Sequence, residues 1–145
     1  MMPDNAPLSL SLWALSIAFN ERLSRELASL GITSAEFRLI GEVLQCPDGI
    51  RQSELARRLS VSAPTVSAAV ARMERSGLLV RRPDLKDPRA KLVSVAPRAP
   101  LAEGAVVLSR IEADLAAGLS DEEHTTLGDS MTRLAQALAG TPGDL

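Results

Sequence analysis

Apolar side chains return at three- and four-residue intervals along most of this chain, and the breaks in that rhythm cluster near its middle. From Leu8 to Leu30 the stripe runs through Leu12, Leu15, Phe19, Leu23 and Leu27, with Trp13 and Leu30 beside it. That spacing predicts an amphipathic helix closed by Gly31. Thr33 and Glu36 stand at capping-box spacing and open a second helix carrying Phe37, Ile40, Val43 and Leu44. Cys46-Pro47-Asp48-Gly49 predicts a turn. Two short helices are predicted at about 52–59 and 63–76, with only Ser60, Val61 and Ser62 between them. Ser62 is placed to cap the second, and Pro64 falls in a first turn, where a missing amide costs no intrahelical bond. After Gly77 the period shortens: Leu78 to Arg82 and Lys91 to Val95 read as antiparallel strands around a charged, proline-containing turn. Beyond Pro97 and Pro100, the residues Leu101, Ala105, Leu108, Ile111 and Leu115 predict a long helix to Gly118. Ser120 and Glu123 then cap a last one with Leu127, Met131, Leu134 and Leu138, ending near Gly140.

Helix, helix, helix–short turn–helix, hairpin, helix, helix is the order of a winged helix-turn-helix. The expected fold is mainly α with a small β-hairpin wing, flanked by N- and C-terminal dimerisation helices. Residues 33–97 would form the winged region, 8–32 and 98–140 the dimerisation region, and 1–7 and 141–145 flexible ends. The terminal helices are acidic, rich in Leu and Ala, and longer than a small winged domain needs for its own core. A second copy would bury them. Aromatics are 2 % of the 145 residues, so the core must be aliphatic. No apolar run is long enough to span a bilayer, and no leader-like N-terminus precedes the first helix; a cytoplasmic protein without a membrane partner is expected.

Charge changes the picture. The formal net charge is −2, yet the segment 51–98 carries +7 and the remainder −9. Segregation of this kind concentrates positive potential where a polyanion would bind. In the helix at 63–76, Val66, Ala69, Val70 and Met73 make the inner stripe. Ser62, Pro64, Thr65, Ser67, Ala68, Ala71, Arg72 and Arg75 are left at its start and outer face. A helix entering the major groove needs a slim leading end for base edges and cations where it passes the phosphates. Ser67, Thr65 and Arg72 are the expected base readers. In the stretch VRRPDLKDPRAKLVSV, Arg89 on the turn can enter the minor groove. Arg75, Arg81, Arg82, Lys86 and Lys91 would meet phosphates, and Asp87 would orient an arginine, Arg89 or one on the strands. An ordinary lysine-rich hairpin edge accounts for the lysines but not for so many arginines.

Ile50-Arg51-Gln52-Ser53-Glu54-Leu55-Ala56-Arg57-Arg58-Leu59, Met73-Glu74-Arg75-Ser76-Gly77-Leu78-Leu79, and Arg81-Arg82-Pro83-Asp84 with Asp87-Pro88-Arg89-Ala90-Lys91 together resemble the MarR family of bacterial transcription regulators. The resemblance extends over nearly the whole chain, and the Asp-x-Arg wing is its most specific element. It implies a homodimer that reads pseudo-palindromic double-stranded DNA, and a repressor released by a small ligand, a metal or oxidation. Three positions depart from the family pattern. Arg51 stands where a Thr usually caps the helix with Glu54, Ala68 where Arg is frequent, and Ala96-Pro97 where Thr usually follows the wing. An effector would be a small molecule, for which Trp13, Phe19 and Phe37 are weak candidate pocket residues, since a core role suits them better. Cys46 has no cation near it in sequence that would make it reactive. With one His, His124, and one Cys, no metal site or cofactor is expected. Nothing resembles a nucleophile–His pair or a phosphate-binding loop, so an enzyme is not expected. The competing reading is a winged helix that binds protein rather than specific DNA.

Overall fold

The structure, a computed structural model, describes residues 6–140. The flexible ends expected at 1–7 and 141–145 fall outside these residues apart from Ala6 and Pro7. Among the described residues there are six α-helices and one small sheet: α1 (Leu8–Leu27), α2 (Ser34–Leu44), β1 (Ile50–Arg51), α3 (Gln52–Leu59), α4 (Ala63–Arg75), β2 (Leu79–Pro83), β3 (Lys91–Val95), α5 (Leu101–Ala117) and α6 (Asp121–Ala139). The chain divides into two compact units at Val107/Leu108, inside α5.

In the first unit, α1 tightens into a 3-10 turn at Ala28–Leu30, and Gly31 closes it with φ +66° and its amide on the Ala28 carbonyl. Thr33 and Glu36 form the expected capping box at the start of α2. The sheet is three-stranded and antiparallel, in the order β1-β3-β2. The hairpin was expected, with its first strand shifted by one residue; β1 was not. Two residues are too few to show a period, and β1 exists because Ile50 and Arg51 pair with Val93 and Leu92. Gly49 makes this pairing reachable. Its φ is +96°, and a Cβ there would stand 3.2 Å from Ser94 Oγ and 3.4 Å from the Val93 carbonyl, a position for glycine alone.

Ile32, Leu39, Ile40, Val43, Ile50, Leu55, Ala56, Val66, Val70, Met73, Leu78, Leu79 and Val93 form the core of this unit. It is aliphatic, as the composition required. Each fully buried aliphatic side chain contributes about 1.5–3 kcal/mol. Leu55 and Val70, both without exposed surface, fix α3 against α4. The turn between these helices is tight because Ser60 adopts φ +54° and sends its amide back to the Ala56 and Arg57 carbonyls. Ser62 Oγ then accepts from the Thr65 amide at 3.3 Å and starts α4.

The apolar stripe of α1 is only half used. Leu23 and Leu27 are buried, while Leu15, Ile17 and Trp13, the last 69 % exposed, are uncovered. A core role for Trp13 is therefore excluded within this chain. In the second unit, α6 opens with the expected Ser120–Glu123 capping box and buries none of its residues. Leu127, Met131 and Leu138 lie exposed along it.

Candidate nucleic-acid interface

The helical period of α4 decides what it offers to a partner. Val66, Val70 and Met73 are buried, and Ser62, Pro64, Thr65, Ser67, Ala68, Arg72 and Arg75 are exposed. The leading end is small and polar; the trailing end is cationic. Ser62 Oγ and Thr65 Oγ1 share a hydrogen bond at 2.7 Å. A hydroxyl has further acceptor capacity, so both can still meet a base edge or phosphate.

The wing turn between β2 and β3 is closed by its own backbone. The Asp84 amide donates to the Ala90 carbonyl at 3.1 Å, and the Ala90 amide to the Asp87 carbonyl at 2.9 Å. Lys86, Arg89 and Lys91 project from this frame exposed. Neither they nor Arg75 join an ion pair among the described residues. Arg75, Arg89 and Lys91 are uncommitted, and Lys86 is held only by a weak electrostatic attraction to Asp84. Arg82, also exposed, gives one Nη donor to the Asp48 carbonyl at 2.7 Å.

Two predicted contacts are tied up inside the protein. Arg81 is half-buried and gives Nε to Glu74 Oε2 at 2.9 Å, which couples β2 to α4 and removes most of its charge from the surface. Arg72 gives Nε to Glu36 Oε1 at 3.0 Å, yet keeps 55 % of its side chain exposed. Asp87 differs from its expected role. Its carboxylate accepts the Arg89 backbone amide at 3.1 Å, because in such a turn the amide two residues on is the nearest donor. It orders the turn rather than a guanidinium.

The carboxylate that does hold an arginine at the wing base is Asp84, which is 7 % exposed. It receives Arg51 Nε at 2.8 Å and Arg51 Nη2 at 2.6 Å. Its other oxygen accepts the Lys86 amide at 2.9 Å. That amide, and then Arg51, lower its pKa against the opposing effect of burial. Arg51, which replaces the expected cap of α3 and makes no cap hydrogen bond, is thus used to anchor the wing. Glu54, left without that cap partner, is chelated by Arg57 and Arg58 at 2.7–3.0 Å. Arg57 first and Arg58 second push its pKa down to about 2. Sequence distance hid these pairs: 33 residues separate Arg51 from Asp84 and 36 separate Glu36 from Arg72.

The candidate effector residues do not share one setting. Phe37 packs against the core, while Trp13 and Phe19 are exposed on α1. Surface grooves are lined instead by Asn20, Glu21, Ser24 and Arg25, and by residues of α6 with Leu119. Cys46 is half-buried. The pKa of Arg58 is raised chiefly by Glu54, with a smaller electrostatic contribution from Cys46, so folding brings a cation near a thiol that has none beside it in sequence. His124 is exposed in the first turn of α6. No group of three His, Cys, Asp or Glu side chains suited to a metal occurs among the described residues. No described helix is long and apolar enough to cross a membrane.

Residues 30–90 match the sequence profile of the MarR family. A crystal structure of MarR superimposes with a TM-score of 0.82 and 26 % identity, covering 96 % of this chain and 95 % of that one. Residues 30–90 are therefore MarR-like in sequence, and the fold of the chain is that of MarR. HTH-type transcriptional repressor Rv2887 of Mycobacterium tuberculosis is 30 % identical over 80 residues, 55 % of this chain and 57 % of the relative. A Mycobacterium bovis repressor matches to the same extent. The chain thus spans little more than half the length of these curated relatives. The fold is also that of the MepR–DNA complex of S. aureus, with TM-score 0.80, 21 % identity, and coverage of 92 % and 99 %. MarR-family proteins are transcription regulators, and the residues that match their profile span α2, α3, α4, β2 and the wing turn.

Proposed function

We propose that the chain is a homodimeric transcription repressor of the cytoplasm that binds a pseudo-palindromic operator in double-stranded DNA. Residues 33–97 read DNA, and 8–32 with 98–140 pair with a second copy. The N-terminal end of α4 enters the major groove, where Thr65, Ser67 and Arg72 meet base edges, with Ser62, Pro64 and Ala68 as the slim surface that permits close approach. Arg89 enters the minor groove. Arg75, Arg82, Lys86 and Lys91 contact phosphates, and Arg81 contributes mainly through its bridge to Glu74. A small-molecule effector releases the complex.

One observation carries this reading: four exposed cations that form no ion pair among the described residues, Arg75, Lys86, Arg89 and Lys91, lie on the recognition helix and on a wing that the Arg81–Glu74 bridge couples to it. A surface with no polyanionic partner would intersperse acids among them. The mycobacterial relatives named as transcriptional repressors, and MepR, whose structure is a DNA complex, support the same reading.

Salt-titrated binding to random and library-selected duplexes tests it. Lys91→Ala should weaken binding to every sequence and lower the salt slope by about 1. Arg89→Ala should cost about 1–3 kcal/mol on the selected sequence and less on random DNA. Unchanged binding by both variants discards the interface. A wild-type protein whose duplex binding lacks a steep salt dependence is instead a protein-binding winged helix.

A further inference from the structure

We infer that Glu36 is a positioning residue for sequence readout: it holds Arg72 so that the guanidinium presents its two terminal amino groups to a guanine in the major groove. The inference rests on the DNA-binding reading and names one determinant of its specificity.

Glu36 occupies the third position of α2, a helix that a DNA-reading α4 would not require to touch the duplex. Its two oxygens are divided between two tasks. Oε2 accepts the Thr33 amide at 3.1 Å and completes the capping box; Oε1 accepts Arg72 Nε at 3.0 Å. The residue is 9 % exposed, so the cap pins the carboxylate and the carboxylate pins the arginine. A guanidinium has five N–H donors in one plane. With Nε given to Glu36, four remain on the two Nη atoms, and these make no hydrogen bond among the described residues. Paired Nη donors match guanine O6 and N7.

Other paired arginines of the region are bound differently. Arg51 and Arg81 each bring an Nη as well as Nε to their carboxylate, at 2.6 and 2.9 Å respectively. Arg81 retains only 28 % side-chain exposure against 55 % for Arg72. Arg72 is held at its neck and open at its head. It lies on the α4 face that also exposes Thr65 and Ala68, seven and four residues earlier. Because Ala68 offers no hydrogen-bonding group, Arg72 is the long donor on this stretch of the helix. Restraint by Glu36 removes from binding the entropy of ordering a flexible side chain. It also offsets the charge of Arg72, so the pair favours discrimination over general affinity for phosphates.

Selection of bound DNA from a random duplex library, using the wild type, Glu36→Gln, Arg72→Ala and Arg72→Lys, tests the inference. Glutamine keeps an oxygen for the Thr33 amide but loses the charge that holds Arg72. The wild type should recover a guanine at a fixed position. Arg72→Ala should lose it, and Glu36→Gln should weaken that preference about tenfold while random-duplex affinity stays at or above wild type, because the carboxylate no longer offsets Arg72. Arg72→Lys keeps the charge and the fold but lacks the fork, and should lose the same guanine; it decides the matter if Glu36→Gln does not fold. Retention of the guanine by folded Glu36→Gln, or by Arg72→Lys, overturns the inference. So does an equal loss on selected and random duplexes, which would make Arg72 a phosphate contact. A wild type that binds no duplex removes the DNA reading itself, a separate and recognisable failure.

Discussion

Gly104 of α5 stands against the Phe37 ring so closely that a Cβ would lie 2.8 Å from Phe37 Cε2. Two effects compete on replacing it. Alanine in a helix interior gains about 1 kcal/mol over glycine, and overpacking costs about 1–3 kcal/mol. Phe37 is half-buried and can yield part of the way, so Gly104→Ala should lose about 1 kcal/mol net in chemical denaturation. Gly41→Ala, at an exposed position of α2 with nothing within 4 Å, should gain about 1 kcal/mol. Equal shifts for the two would show that the contact does not constrain Phe37. Exposure at this scale was legible in the sequence: Thr65, Ser67, Ala68, Arg72 and Arg75 follow from the helical period alone. The partners of Arg51 and Arg72 were not, because a hydrogen bond across 33 or 36 residues leaves no local periodicity, and that of Arg81, seven residues away, depends on how β2 turns back beside α4.

Among the elements, α3 shows how one altered residue redistributes electrostatics. Arg51 caps nothing and anchors the wing through Asp84, and Glu54 turns to Arg57 and Arg58. Its carboxyl, ordinarily near 4.5, is held down to about 2. Between those values the unfolded chain takes up a proton that the folded protein refuses. The stabilisation from Glu54 is therefore complete above about pH 4.5 and is lost as pH falls through about 2. Asp84, also lowered, acts in the same direction at the wing. Glu54→Gln should flatten the acid limb of stability between pH 4.5 and 2 in thermal melts recorded across that range. An unchanged acid limb would show that the two arginines do not hold this carboxylate in solution. The helices were legible because their stripes and caps are local. The strand β1 was not, because it exists only by pairing with β3.

For the whole molecule, association is the consequence of greatest reach. The outer stripe of α1 and the Leu127–Met131–Leu138 row of α6 are uncovered in the single chain, and exposed rows of this size mark interaction surfaces. In the dimer proposed above, two recognition helices would stand about 34 Å apart, one turn of DNA. Wild-type protein should sediment at twice the 15.4 kDa of the chain. Leu127→Glu with Met131→Glu should shift it to the protomer and weaken operator binding far more than random-duplex binding. Sedimentation of the wild type as a protomer would end the dimer reading. The terminal helices could be read as surplus to one small core; what covers them is a question of assembly.

The order of helices, their caps, the slim cationic face of α4 and the charge segregation were determined by the sequence, because each depends on neighbours within about one or two turns of chain. Only the tertiary structure decided which arginines are free and which are spent. Charge pairing depends on which backbones fold beside one another, and Glu36 beside Arg72, or Asp84 beside Arg51, is a fact of three-dimensional packing.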